Sequence, residues 1–164
     1  MKGEVNVKLL KNVITLSAGV FLGQKVGKLQ EKRHKNQETE KYRSYFYTLV
    51  RLYNMKAEGK PIDWLLHQKD FARIAIYGMG EMGRIMYEEL KNTDITVVYG
   101  IDQAGGKHPD IKVIKMKAIQ KEPDAIIVTI PFAYESVKKD LKKIVSCPVI
   151  SLEHLLYEVE DAAF

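Results

Sequence analysis

The sequence predicts an α/β fold: a truncated, doubly wound parallel sheet of about five strands in the order 3-2-1-4-5, preceded by an N-terminal helical segment. Three observations predict it. The apolar run Ile74 to Tyr77 reads as a buried parallel strand and leads directly into Gly78, Gly80 and Gly83 in G-x-G-x-x-G spacing. An amphipathic helix follows, with Met82, Ile85, Met86 and Leu90 on one face. Beyond it, apolar β-rich runs and helical patterns alternate through short connections, and a carboxylate, Asp102, closes the second strand 19 residues after Gly83. Strand, glycine turn, helix and distal acid together describe a Rossmann-like nucleotide-binding unit.

In chain order, residues 1–70 read as an N-terminal helical arm and residues 71–164 as the Rossmann-like domain. Val13 to Gly23 is apolar, flanked by Lys8, Lys11, Lys25 and Lys28, and too short to span a bilayer, which takes roughly 20 residues. Gly19, Gly23 and Gly27 recur every fourth residue and would give a helix a narrow face for close packing. Three readings stand for this segment. It packs on a second copy or on its own domain, it anchors peripherally to a membrane surface through residues 8–28, or it is a cleaved signal. The last lacks a small-residue cleavage site.

Gln30 to Lys41 is polar and reads as a helix extension or linker. A second helix is expected from about Glu40 to Ala57, with Tyr42, Tyr45, Phe46, Leu49, Leu52 and Tyr53 at helical spacing, which marks a packing surface. Gly59 and Pro61 end it, and a short helix over Ile62 to Lys69 leads into the first strand. Later strands are expected over residues 95–101, 111–116, 124–130 and 148–152. Residues 117–121 make at most one helical turn, and helices are expected over 134–145 and 153–159.

The charge is uneven. Residues 1–70 hold 14 Lys/Arg against 7 Asp/Glu, a balance of +7, and residues 71–164 hold 12 against 14, a balance of −2. The basic character therefore belongs to the arm, which argues against nucleic acid as a partner and for an acidic protein or membrane surface, or a solvated helix. One cysteine, Cys147, excludes an internal disulfide framework and suits a reducing cytoplasm. His34, His67, His108 and His154 are scattered, so no metal site is expected.

The candidate ligand residues are Gly78, Gly80, Glu81, Met82, Gly83, Asp102, Thr129 and Pro131. Gly78 makes the tight bend, Gly80 lets backbone approach a phosphate, and Gly83 lets the helix pack on the strand. The helix N-terminus offers N–H groups to an anion, and Asp102 would bind ribose hydroxyls, favouring NAD over NADP. Thr129 to Phe132, at the end of the fourth strand, face the same crevice. Glu81 brings a negative charge near any pyrophosphate. Tyr134 and Lys138 are the catalytic candidates, in the Tyr-x-x-x-Lys pattern of short-chain dehydrogenases. They follow the fourth strand directly, about 50 residues past the glycines, where that family keeps more chain between the two motifs. The sequence supports a binder better than a complete enzyme.

The runs "ARIAIYGMGEMGRIMYEELKNTDITVVYGID", "DAIIVTIPF" and "PVISLEHLL" resemble the small NAD(P)-binding, nucleoside-diphosphate-sugar epimerase-like Rossmann domains of bacterial surface (capsular) polysaccharide biosynthesis. The resemblance covers about residues 40–158. It implies NAD, another adenine nucleotide or a nucleotide-sugar at Gly78, Gly80, Gly83 and Asp102, and an accessory or regulatory role beside glycosyltransferase modules. A homo-oligomer formed through the N-terminal helices is expected as well. Two alternatives are an oxidoreductase or epimerase completed by a partner chain, and a structural adaptor that has lost its ligand.

Overall fold

The computed structural model describes residues 35–36 and 38–161, with side chains to residue 158. The expectations for residues 8–28 and for the glycine-faced helix fall outside the described residues. The chain divides into two compact units, Met1–Tyr42 and Arg43–Phe164. In the first unit the described residues, 35–36 and 38–42, are helical. The second opens with helix α1 over residues 43–57.

The boundary thus lies well before residue 70, for a physical reason. Met55 on α1 and Ile62, Leu65 and Leu66 on the next helix, α2 (Ile62–His67), are buried in the same core as the first strand. The lead-in helices are part of the α/β unit.

Five strands follow: β1 (Arg73–Tyr77), β2 (Thr96–Ile101), β3 (Val113–Ile114), β4 (Ala125–Val128) and β5 (Val149–Ser151). All pair in parallel, and the order is β3-β2-β1-β4-β5. β1 therefore lies at the centre, between β2 and β4, and its residues Ile74 to Tyr77 are all buried. A strand covered on both faces needs a continuous apolar run, which is why neither Ile74–Tyr77 nor Ala125–Val128 alternates. β1 and β4 start in a fixed register because Asp124 Oδ2, just before β4, accepts the N–H groups of Ala72 (3.0 Å) and Arg73 (2.7 Å).

Helices cover both faces. α3 (Glu81–Leu90) and α5 (Leu152–Asp161) share one face with α1 and α2, over Ile74, Ile76, Ala125 and Ile127. The lone tryptophan, Trp64, packs at the edge of this cluster. α4 (Tyr134–Leu141) covers the other face, over Ala75, Tyr77, Ile126 and Val128. The β3–β4 crossover contains only a 3-10 turn, Met116–Ala118, so among the described residues no second α-helix shares the face that α4 covers. Among the described residues no helix is long and apolar enough to cross a membrane.

The loop before β4 is clasped to the loop before β5. Glu122 accepts from Ser146 Oγ (2.7 Å), Ser146 N (3.1 Å) and Cys147 N (3.2 Å). These bonds, the Ser146 side chain first, hold the Glu122 carboxyl below its ordinary range. Burial, the largest cause, pushes the neighbouring Cys147 thiol up, so the residue is an inert apolar filler.

A group whose folded value is depressed stabilises the fold above its unfolded value and loses that effect as pH falls through the folded value. Glu122→Gln is therefore expected to lower Tm at neutral pH and to lose less stability than the unsubstituted chain on acidification. Thermal melts of both chains from neutral to acid pH make the check, and parallel curves would refute it.

Candidate functional site

β1 ends where the chain must turn at once into α3. Gly78 does this with φ +94°, a conformation L side chains rarely adopt. Its N–H donates to Ile101 O at 2.8 Å, so the turn is pinned to the end of β2. A side chain at Gly78 would also meet Ile130 Cγ1 at 2.6 Å. Two residues on, Gly80 is the exposed N-cap of α3, and no side chain caps the helix. A Cβ on Gly80 would meet nothing within 4 Å. Gly83 is the tightest of the three, since a Cβ there would run into the Gly78 carbonyl oxygen. The spacing thus creates a turn packed from beneath and open above, with the positive end of a ten-residue helix facing the opening.

Asp102 joins this turn from the neighbouring strand. Its Oδ2 accepts the Met79 N–H at 3.1 Å and its Oδ1 accepts the Ala104 N–H at 2.8 Å. The side chain is partly exposed, and each oxygen keeps a lone pair for a further donor, such as a ribose hydroxyl. Gly78, Gly80, Gly83 and Asp102 are therefore brought together.

The other candidates take different places. Thr129 is buried, its hydroxyl 2.7 Å from Gly78 O and 3.1 Å from Tyr77 O, while its N–H donates to Tyr77 O at 3.0 Å. It holds the turn from below. Met82 is buried in the core with Met86 and Leu90, so it presents only main chain to the crevice. Glu81 is exposed in the first turn of α3, and Arg84, also exposed, lies one turn along. Pro131, half-buried, opens a 3-10 turn (Pro131–Ala133) at the end of β4.

Tyr134 and Lys138 do meet, with the ammonium 5.1 Å from the ring centroid. The Tyr134 hydroxyl is buried and donates to Val149 O at 3.1 Å, at the amino end of β5. The Lys138 ammonium, hydrogen-bonded to Tyr134, has its pKa pushed up. This hydroxyl braces α4 against the sheet, with its proton committed to the backbone.

Several site features carry no signal in the motif. Met79, between the first two glycines, is buried and lies where a Cβ on Gly100 would sit, 2.6 Å from Met79 Cγ. On the α4 side, a cleft of about 810 Å³ is lined by Tyr77, Gln103, Lys115, Lys117, Ser136 and Asp140. Burial pushes the Tyr77 phenol up, offset in part by its hydrogen bond with Gln103. The sequence signal was available here: Gln103 follows Asp102, and Lys115 and Lys117 bracket the end of the third strand. Away from the turn, ligand atoms of Glu88, His108 and Asp110 lie within 4.8 Å of one another. His108 Nδ1 there accepts the Asp110 N–H and Glu88 pairs with Lys91, so ready-made partners occupy the grouping.

Comparison with protein-family models, with curated proteins and with solved structures finds no match.

The last two glycine positions make opposite forecasts. Gly83→Ala is expected to cost about 1–3 kcal/mol, roughly 2–10 °C in Tm, because the helix must back away from the Gly78 carbonyl. Gly80→Ala is expected to shift stability by no more than about 0.5 kcal/mol, since its Cβ enters open space. Calorimetric melts of both variants test this, and equal losses would contradict the geometry.

Proposed function

We propose that the protein binds a nucleotide, dinucleotide or nucleotide-sugar at the β1–α3 turn, and that it serves surface-polysaccharide biosynthesis as an accessory or regulatory component in the cytoplasm. The observation that carries the reading is the Asp102 carboxylate hydrogen-bonded to the Met79 N–H, directly beside the uncapped N-terminus of α3. A phosphate accepts from N–H groups at the helix end, and a ribose hydroxyl donates to a carboxylate. The two donor and acceptor sets sit one residue apart along the turn.

Asp102 would also repel a 2′-phosphate, so NAD is preferred to NADP. The polysaccharide context comes only from the resemblance of residues 40–158 to that group of Rossmann domains. Binding is favoured over reaction because the Tyr134–Lys138 pair has its phenol committed to Val149 O.

Isothermal titration of the full chain with NAD, NADP, AMP and UDP-sugars tests the proposal. At least one is expected to bind, with Gly80→Ala weakening it about tenfold or more, a loss of at least about 1.4 kcal/mol, at unchanged Tm. Asp102→Asn is expected to narrow any preference for NAD over NADP. Silence toward all four ligands overturns the reading.

A further inference from the structure

Helix α1 is apolar on two sides. One side packs inward: Met55 and Thr48 are buried, and Tyr45 and Leu52 pack against the core. The opposite side carries Phe46 (62% exposed), Leu49, Val50 and Tyr53 (74% exposed), with Tyr47 alongside. Positions 46, 49, 50 and 53 fall at i, i+3, i+4 and i+7, the stripe by which one helix buries itself against another. Four large apolar side chains in one contiguous stripe are more than the scattered exposure of an ordinary surface.

Next to the stripe lies a mostly apolar hollow of about 300 Å³, lined by Leu49, Leu52, Tyr53, Ile62 and Ile85 and by the ion pair of Lys56 with Glu89 (2.7 Å). The same face thus presents a projecting aromatic, Phe46, and an apolar recess about two helical turns away. A surface that bears both a knob and a matching hole fits a copy of itself through a two-fold axis.

The charges agree with that occupant. Between residues 46 and 54 the outward positions Phe46, Tyr47, Leu49, Val50, Tyr53 and Asn54 are all uncharged, so self-pairing brings no like charges together. Two antiparallel copies oppose their helix dipoles, whereas parallel copies would align them.

We infer that the exposed face of α1 is the dimer interface of this chain, formed by two antiparallel copies of α1 about an axis near Leu49 and Val50. Phe46 of each copy enters the recess beside Tyr53 of the other. The inference is independent of any nucleotide.

Sedimentation of the full chain across the micromolar range is expected to give the mass of two chains. Leu49→Glu combined with Val50→Glu is expected to halve it, with the far-UV circular dichroism unchanged. A one-chain mass for the unsubstituted protein overturns the inference, whether the face is then covered by residues 1–34, by lipid or by another protein. A two-chain mass that survives the double substitution overturns it equally, since association then lies elsewhere. Disulfide cross-linking gives a readout that does not depend on the charged variant. In a Cys147→Ser background, mixed Phe46→Cys and Tyr53→Cys chains are expected to cross-link to each other. Predominant cross-linking of Phe46→Cys chains to themselves would contradict the antiparallel arrangement.

Discussion

The structure depends on one close approach: α3 leans on the Gly78 carbonyl at a point where no side chain fits. Because Gly83 carries no Cβ, the helix starts immediately above the end of the central strand, and its N–H groups open over the crevice between β1 and β4. The ends of the two strands that flank β1 are tied to the same spot. Ile101 O at the end of β2 receives the Gly78 N–H, Asp102 receives the Met79 N–H, and Thr129 beyond β4 reaches the Gly78 carbonyl. Three strands therefore converge on a turn of three residues, Gly78 to Gly80. Such convergence holds the N–H groups of the turn in place before any ligand arrives, the preorganisation on which the proposed phosphate site would draw.

How much of this was legible follows from the range of each interaction. The apolar runs 74–77 and 125–128 and the helical stripe of α3 are local patterns, and the strand order follows from alternating elements joined by right-handed crossovers. The outer glycines and Asp102 were legible because each answers a backbone or polar demand at a fixed spacing. Thr129, Met82 and Tyr134 were legible only as positions. Which way each side chain turns depends on partners far along the chain, Gly78 for Thr129, the α2–α3–α5 core for Met82 and Val149 for Tyr134. The unit boundary behaved likewise. Charge and aromatic content set residues 1–70 apart, yet Met55, Ile62, Leu65 and Leu66 complete the face of the sheet that α3 and α5 leave uncovered.

The two faces of the sheet are unequal in consequence. Among the described residues one is roofed by α1, α2, α3 and α5, and the other by α4 with the 3-10 turns Met116–Ala118 and Pro131–Ala133. The thin side leaves the basic cleft beside Tyr77, whose main-chain carbonyl accepts from Thr129 while its phenol meets Gln103. The glycine turn and the cleft thus share a residue, with main chain on one side and side chain on the other. The thick side ends in α1, which carries Phe46, Leu49, Val50 and Tyr53 on its outward face.

The short β3–β4 crossover bears on how the chain assembles. As the polypeptide emerges, β1, α3, β2 and β3 can form while the other edge of β1 still lacks the strand that covers it. That edge is apolar and its N–H and C=O groups are unpaired, the condition under which growing chains stick to one another. A crossover without a helix brings residues 125–128 out soon after β3, with no intervening element to fold first. Loop closure grows only slowly with length, by about 0.6 kcal/mol per doubling, so the gain is chiefly one of time. The truncated connection shortens the interval in which the central strand waits for its second neighbour.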